Sequence, residues 1–224
     1  MPFGIARASG ASWRGAALTP YLLEVMEIDA SQRRVRLSVG ELATFRNRPR
    51  PCGNGSNLWR AVVGRQWHKS SENLIKAEHP EARFEVTVSA DWRHSNWLFQ
   101  LNGRIDQLLP TSEGALVREV KTIRSPLPMP DKTLLEDYPA YFAQAATYQS
   151  MLEVLPEYAG QLITAEVQFI NIENGALQSV SLGPSEHAIF KKQLDRLIPF
   201  LDERLGSLNR LREAQIKPAF DTLR

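Results

Sequence analysis

The chain has 224 residues, of which 43% are hydrophobic and 23% are charged, and its formal net charge at pH 7 is +2. These values are typical of a soluble globular protein with one sizeable core; the nearly neutral charge does not identify a nucleic-acid binder and does not exclude a local basic groove. Cys52 is the one cysteine, which excludes a disulfide framework, an all-cysteine zinc site and a four-cysteine iron–sulfur cluster within the chain.

The first quarter of the chain predicts a β-hairpin, a short helix and a loop. Residues 19–39 alternate between apolar and polar types, with a turn near Asp29 to Arg33. The following VGELATFR predicts a short helix with Ser38 as its cap. The cluster of Pro, Gly, Asn and Ser in RNRPRPCGNGS indicates a loop.

The middle of the chain predicts one helix followed by three strands. Apolar residues recur at helical spacing in LWRAVVGRQWHKSSENLIKAEH, and strand-like runs follow in ARFEVTVSADW, WLFQLNGRIDQLLP and ALVREVKTI. Proline breaks the next segment, RSPLPMPDKTLLED, which we expect to be a loop.

The last third predicts a helix, a strand pair and a long helical run. The helix is YPAYFAQAATYQSMLEVL, and the strand pair in LITAEVQFINIENGALQSVSLG surrounds the turn signal Asn174-Gly175. The helical run has Ser185 as its predicted cap, and we expect it to be interrupted or kinked at Pro199. The whole is an α/β plan with a mixed sheet.

Two carboxylates and an ammonium are the most informative side chains. Asp106 ends GRID in one predicted strand, and Glu119 and Lys121 lie two apart in the next. Residues two apart in a strand point to the same face, and adjacent strands would bring the two acids together at neighbouring strand ends. This combination suits a hydrolase that handles phosphate with a hard divalent metal.

Four motifs in order resemble the RecB-type branch of the PD-(D/E)XK nuclease superfamily. They are GRQWHKSSENL with His68, GRID with Asp106, REVKT with Glu119 and Lys121, and QAATYQ with Gln144 and Tyr148. Together they cover roughly residues 58–150. The resemblance implies a restriction-endonuclease-like core, with a central mixed β-sheet flanked by helices and a long C-terminal helical segment.

The resemblance also implies a metal site. Asp106 and Glu119 would ligate Mg²⁺ or Mn²⁺, because hard cations take oxygen ligands. In this family the histidine of the preceding helix, here His68, supplies a further ligand that favours Mn²⁺, and the backbone carbonyl of Val120 often supplies another. Lys121, beside two acids, keeps its charge, which favours electrostatic positioning of the water or phosphate over a general-base role.

Other residues are implied to act on DNA or on the lysine. Gln144 and Tyr148, four apart on one helical face, would orient Lys121 or contact the DNA backbone. The predicted nucleic-acid-binding residues are Arg65, Lys69, Arg104 and Tyr148. Arg65 and Lys69 could line one phosphate-tracking surface together with Arg46, Arg48, Arg50 and Arg60. All of these residues could equally belong to a solvated face.

Structural readings compete with the functional ones. Asp106 could be a plain turn residue, and Glu119 with Lys121 could be a solvated cross-strand ion pair. However, the apolar neighbours of Glu119 predict a buried strand, where unpaired charges would be costly. His68 could be an interface histidine, and Gln144 and Tyr148 could be packing and surface residues.

These observations predict a metal-dependent deoxyribonuclease, an exonuclease on single-stranded DNA or DNA ends in repair, recombination or defence. The alternative is a catalytically silent DNA-binding or scaffolding domain of a helicase–nuclease assembly. We expect one nuclease domain over residues 1–224, with an N-terminal part (1–57), a catalytic core (58–183) and C-terminal helices (184–224).

The expected partners are DNA and a helicase in cis or in trans, because related nucleases are often fused to one, and the chain could be the nuclease domain of a larger protein. No P-loop occurs, so we expect no nucleotide cofactor, and the single cysteine predicts no iron–sulfur cluster. No apolar run approaches the length of a membrane span, and the cysteine usage fits a cytoplasmic location.

Overall fold

The computed structural model describes residues 26–45, 66, 67, 69, 71–73, 75–183, 186 and 188–221, with side chains up to residue 211. Its elements in chain order are β1 (Glu27–Asp29), β2 (Arg34–Ser38), α1 (Val39–Thr44), β3 (Arg83–His94), β4 (Trp97–Pro110), β5 (Gly114–Ile123), α2 (Asp131–Asp137), α3 (Pro139–Glu153), a 3₁₀-helix (Pro156–Tyr158), β6 (Leu162–Asn171), β7 (Leu177–Ser181) and α4 (Ile189–Asp221). Residues 66, 67, 69, 71–73 and 75–78 are also helical and are called the 66–78 segment.

The seven strands form one mixed sheet in the order β1-β2-β4-β5-β6-β7, and β3 also pairs with β4. The β2–β4 and β5–β6 pairs are parallel, and the other pairs are antiparallel. The predicted mixed α/β architecture, with helices flanking a central sheet and a long C-terminal helix, is therefore confirmed.

Strand β4 organises the sheet because two different strands share one of its edges. Strand β3 pairs with β4 along nearly its whole length. On the other edge, β2 pairs with residues 98–102 and β5 pairs with residues 107–110. Residues 103–106 lie between these two ladders, and we call this stretch the β4 gap.

Local sequence signals explain most of the boundaries. Ser38 and Glu41 form a capping box at the start of α1, since each side chain bonds the other residue's backbone N–H. The β3–β4 turn places Ser95 and Asn96 at positive φ, which the tight turns of hairpins require. Gly175, at φ 72°, lies in the connection between β6 and β7, where the Asn-Gly signal predicts a turn.

Two predictions that rested on proline were wrong, a loop at residues 131–137 and an interruption of α4. Residues 131–137, expected in a loop, form α2, because Pro130 precedes the first turn, where its missing N–H costs nothing, and Leu134 is fully buried. Helix α4 runs through Pro199 without interruption, and a kink at this residue stays a prediction. Leu197 and Leu201, on both sides of this proline, are fully buried, and that burial outweighs one lost backbone hydrogen bond. Ser185 lies outside the described residues.

The main core lies between the sheet and helices α1, α3 and α4. Helix α3 is buried along almost its full length, from Phe142 to Leu152. Helix α4 is fixed to the β3–β4 hairpin, since the Trp97 indole N–H donates to Asp202 at 3.0 Å and the Trp92 ring meets the Phe190 ring edge-on. Among the described residues, no helix is both long enough and apolar enough to cross a membrane.

The 66–78 segment connects to the sheet through a polar network. The Ser71 hydroxyl donates to Gln168 of β6 at 3.2 Å and accepts from Gln107 of β4 at 3.1 Å. Gln107 in turn accepts from Arg118, which is ion-paired with Glu166. A cluster of buried polar side chains thus joins three strands next to Asp106.

Candidate active site

Asp106 and Glu119 lie on neighbouring strands just where β4 and β5 come together. The last pair of their ladder is Gln107 with Arg118, so Asp106 and Glu119 are the next residues along each strand. Asp106 accepts the backbone N–H of Val120 on Oδ2 at 2.9 Å. The expectation of neighbouring strand ends was wrong: both acids lie inside strands, and their meeting point is the end of a ladder, because β4 continues towards β2.

Glu119 is a fully buried carboxyl group with one unused oxygen. Its side chain is 0% exposed, Oε1 accepts from the Lys121 ammonium, and Oε2 has no hydrogen-bond partner. Burial raises the pKa of Glu119 to about 8; Lys121 lowers it and the Asp106 carboxylate raises it further. A buried oxygen without a partner is costly, so this group is in an environment that a cation would stabilise.

Lys121 belongs to the same cluster and is its partly exposed member. Its side chain is 22% exposed, and its ammonium is 5.4 Å from the centre of the Tyr141 ring. Burial alone lowers the pKa of Lys121, but the carboxylates of Glu119 and Asp106 outweigh it, so the pKa is raised above the ordinary value. Lys121 is therefore a fixed positive charge at neutral pH.

The donor set fits a hard divalent cation. Asp106 and Glu119 present carboxylate oxygens, including the unpartnered Oε2, and oxygen is the ligand type that Mg²⁺ and Mn²⁺ accept. In the described parts of the chain no three His, Cys, Asp or Glu side chains come together as a metal cluster. The two further ligands that the motifs suggest are the Val120 carbonyl and His68, and His68 lies outside the described residues.

Tyr148 of α3 reaches the backbone of the β4 gap, and Gln144 lies beside its hydroxyl. The Tyr148 hydroxyl accepts the N–H of Arg104 and donates to the C=O of Arg104, both at 3.0 Å. The Gln144 side chain lies near the same hydroxyl and lowers the pKa of Tyr148. Burial, followed by the negative charge of Glu119, raises the pKa of Tyr148, so the phenol stays protonated.

The three predicted basic contacts have different surroundings. Arg104 is exposed and ion-paired with Glu85 of β3. Lys69 is exposed and lies 3.3 Å from Glu72. Arg65 lies outside the described residues, as do the loop arginines at positions 46, 48, 50 and 60. Arg104 is thus the described basic side chain nearest to Asp106 along β4.

Three features near the site were not identified from sequence. Tyr141, under the ammonium of Lys121, lies seven residues before Tyr148, a spacing that keeps both on one helical face. Gly103 is crowded, because a Cβ there would lie 2.7 Å from the Tyr148 ring. Glu85 has φ 52° and, like Asp106, is skipped in the pairing of β3 with β4, and no sequence pattern signals this conformation.

A protein-family model identifies the superfamily of this chain. The model of the PD-(D/E)XK nuclease superfamily matches residues 27–219. No curated protein matches the chain. A solved structure described as a crystal structure of SSO0001 is 17% identical in sequence, covers 73% of this chain and 75% of its own, and superimposes with a TM-score of 0.47. Because the family model spans most of the sequence, the chain belongs to the PD-(D/E)XK nuclease superfamily, whose members are generally DNA nucleases that use divalent metals.

Proposed function

We propose that this chain is a divalent-metal-dependent DNA nuclease that hydrolyses phosphodiester bonds at Asp106, Glu119 and Lys121. The observation that carries the proposal is the fully buried Oε2 of Glu119, which has no partner although a second carboxylate and an ammonium lie beside it. A structural ion pair would need only one carboxylate. Once Glu119 ionises, as ligation of a metal requires, two carboxylates and one ammonium leave a net negative charge in a buried place, and a bound cation offsets that charge.

Asp106 and Glu119 would hold Mg²⁺ or Mn²⁺, together with the Val120 carbonyl and His68. When bound, the metal lowers the pKa of a water ligand and neutralises charge that develops on the phosphate. The N–H of Val120 donates to Oδ2 of Asp106 and so orients this carboxylate, whose other oxygen takes no part in that bond. Glu119 must lose its proton to ligate, since burial raises its pKa to about 8.

Lys121 would position the attacking water and stabilise the phosphate. Its raised pKa keeps the ammonium charged, so it donates hydrogen bonds and does not accept the proton of the water. The Glu119 carboxylate and the face of the Tyr141 ring hold the ammonium in place. Truncating the side chain should therefore remove activity without removing metal binding.

The finer assignment rests on the motif resemblance. We propose a RecB-type enzyme with one nuclease domain, without an iron–sulfur cluster, that degrades single-stranded DNA or DNA ends in the cytoplasm with a helicase in cis or in trans. Arg104, Lys69 and Arg65 would contact phosphates. Because phosphate contacts release counterions, the affinity for DNA should fall with salt.

A cleavage assay with matched variants tests the proposal. End-labelled linear single-stranded DNA, the matching duplex and a single-stranded circle are incubated with the purified chain in Mg²⁺, Mn²⁺ or EDTA. Lys121→Ala is compared with Lys132→Ala. Lys132 is a matched control because it also lies near a glutamate, at 3.9 Å from Glu136, but on the exposed surface. We expect metal-dependent cleavage by the wild type and by Lys132→Ala, and none by Lys121→Ala.

The outcomes separate the alternatives. Survival of the circle, with loss of the linear DNA, supports exonuclease action. Equal cleavage by Lys121→Ala and the wild type would refute the assigned site. No cleavage by the wild type, with DNA still retained in a gel-shift assay, would favour the silent DNA-binding domain. Calorimetry with Mn²⁺ on Glu119→Gln, in which no binding is expected, tests the metal site separately.

A further inference from the structure

We infer that Tyr148 is a positioning residue whose hydroxyl replaces a missing strand in the β4 gap and so holds Asp106 in register with Glu119. This inference rests on the proposed function for its meaning in catalysis. It differs from a role in DNA contact or in orienting Lys121, which are the roles that the motif resemblance implies for this tyrosine.

The first argument is the pairing of the sheet. Strand β2 stops pairing with β4 at Asn102, and β5 starts at Gln107. The N–H and C=O of Arg104 point towards the edge between these ladders, and both bond to the Tyr148 hydroxyl at 3.0 Å. One hydroxyl thus makes the two hydrogen bonds that a neighbouring strand would make to this residue.

The second argument is that the ring is locked in place. A Cβ at position 103 would lie 2.7 Å from the Tyr148 ring and 3.0 Å from Val39, so only glycine leaves room for the ring. The Gln144 side chain also lies beside the hydroxyl. The Gln-x-x-x-Tyr pair and the glycine of GRID therefore form one unit, which we call the gap clamp.

The third argument is burial. Tyr148 is 3% exposed, and its hydroxyl is already engaged by the N–H and the C=O of Arg104. Tyr148 therefore has almost no exposed surface with which it could contact a DNA strand. Asp106, in contrast, lies only two residues beyond Arg104 on β4 and depends on the strand path for its bond to the Val120 N–H. The clamp therefore acts on the site through the backbone of β4.

The test compares Tyr148→Phe with Tyr158→Phe. Both variants lose one hydroxyl from a buried ring, but the Tyr158 hydroxyl bonds the Arg83 side chain at 3.4 Å, away from the site. For Tyr148→Phe we expect exchange of the Arg104 amide hydrogen to accelerate by about tenfold or more, and Mn²⁺ affinity to fall by about tenfold. The kcat should fall similarly, with KM for DNA unchanged. Tyr158→Phe should match the wild type in all four.

Gly103→Ala is the second variant. Its new methyl group pushes the Tyr148 ring away, while Tyr148 itself keeps its hydroxyl group. Gly40→Ala, where a Cβ meets nothing closer than 4.0 Å, is its control. We expect Gly103→Ala to reproduce the loss of Mn²⁺ affinity and the fast Arg104 exchange. If neither Tyr148→Phe nor Gly103→Ala folds, hydrogen exchange of the Arg104 amide in the wild type tests the gap clamp instead. An Arg104 amide that exchanges without protection would overturn the clamp.

The results distinguish this inference from the proposed nuclease function. Tyr148→Phe with wild-type exchange and wild-type Mn²⁺ affinity would overturn the clamp. A raised KM with unchanged metal affinity would also overturn it, in favour of direct DNA contact. A wild type that cuts no DNA would refute the nuclease function, while amide exchange and Mn²⁺ calorimetry would still decide whether Tyr148 positions Asp106.

Discussion

Replacing Glu119 by glutamine should stabilise the metal-free protein, and more strongly as the pH rises. Glutamine has nearly the shape of a protonated carboxyl group, and it cannot ionise. Burial raises the pKa of Glu119 from 4.5 to about 8, so folding at neutral pH requires the carboxyl group to take up a proton. The variant is free of that requirement.

The sign and the size follow from the two pKa values. Below pH 4.5 the carboxyl is protonated in both the folded and the unfolded chain, and wild type and variant should be equally sensitive to pH. As the pH rises from 4.5 the wild type loses stability progressively, and the loss levels off once the pH has passed the folded pKa of about 8. At about 1.4 kcal/mol for each pKa unit, the loss is roughly 3 kcal/mol at pH 7 and roughly 5 kcal/mol above pH 9.

Urea unfolding in EDTA at pH 5, 7 and 8.5 measures this difference. We expect the midpoint of Glu119→Gln to exceed that of the wild type by an amount that increases with pH. Glu136→Gln, at an exposed carboxylate, should show no such trend. A difference between Glu119→Gln and wild type that is the same at all three pH values would refute the reasoning. Added Mn²⁺ should stabilise the wild type alone.

Three further substitutions, at a close strand contact, a buried ion pair and a helix cap, test the packing of the fold by urea unfolding. Gly114→Ala would put a Cβ 2.3 Å from a carbonyl oxygen of β6 and should cost about 1–3 kcal/mol, so an unchanged midpoint would contradict the close approach. Arg118→Ala, which leaves Glu166 unpaired among groups only 11–14% exposed, should cost roughly 3 kcal/mol, whereas Lys132→Ala should stay within about 0.5 kcal/mol. Ser38→Ala should cost about 1 kcal/mol through loss of the α1 cap, and no loss would remove the capping box from the explanation.

Local patterns predicted the strands well, because a half-buried strand must alternate and its turns need particular residues. Asn174-Gly175 and the polar residues around Asn96 mark two of the connections. The parallel pairing of β2 with β4 has no such local mark, since it joins segments far apart in sequence. Pro130 and Pro199 misled the helix predictions, because a proline's effect depends on its position in the helix and on how firmly the flanking residues are buried.

In the candidate site, too, some residues were predictable from sequence and some contacts were not. Residue type and spacing were enough to nominate Asp106, Glu119 and Lys121, and the structure brings these three together. The bond of Tyr148 to the β4 gap was not predictable, because its partner is the backbone of a residue 44 positions away. Every residue has the same backbone groups, so a bond to the backbone does not require a particular residue type at that position. Gly103 is the residue whose type this contact does restrict, because a Cβ there would collide with the Tyr148 ring.

The shared edge of β4 has a consequence for the order of folding. The β3–β4–β5 meander joins neighbouring segments and carries both carboxylates, so it can form early. The parallel ladders, and the docking of α3 that brings Tyr148 to the β4 gap, close much longer loops and should come late. We therefore expect a newly made chain to pass through a stage in which Asp106 and Glu119 are already on adjacent strands but not yet aligned, so that cutting ability would appear only with the final docking step.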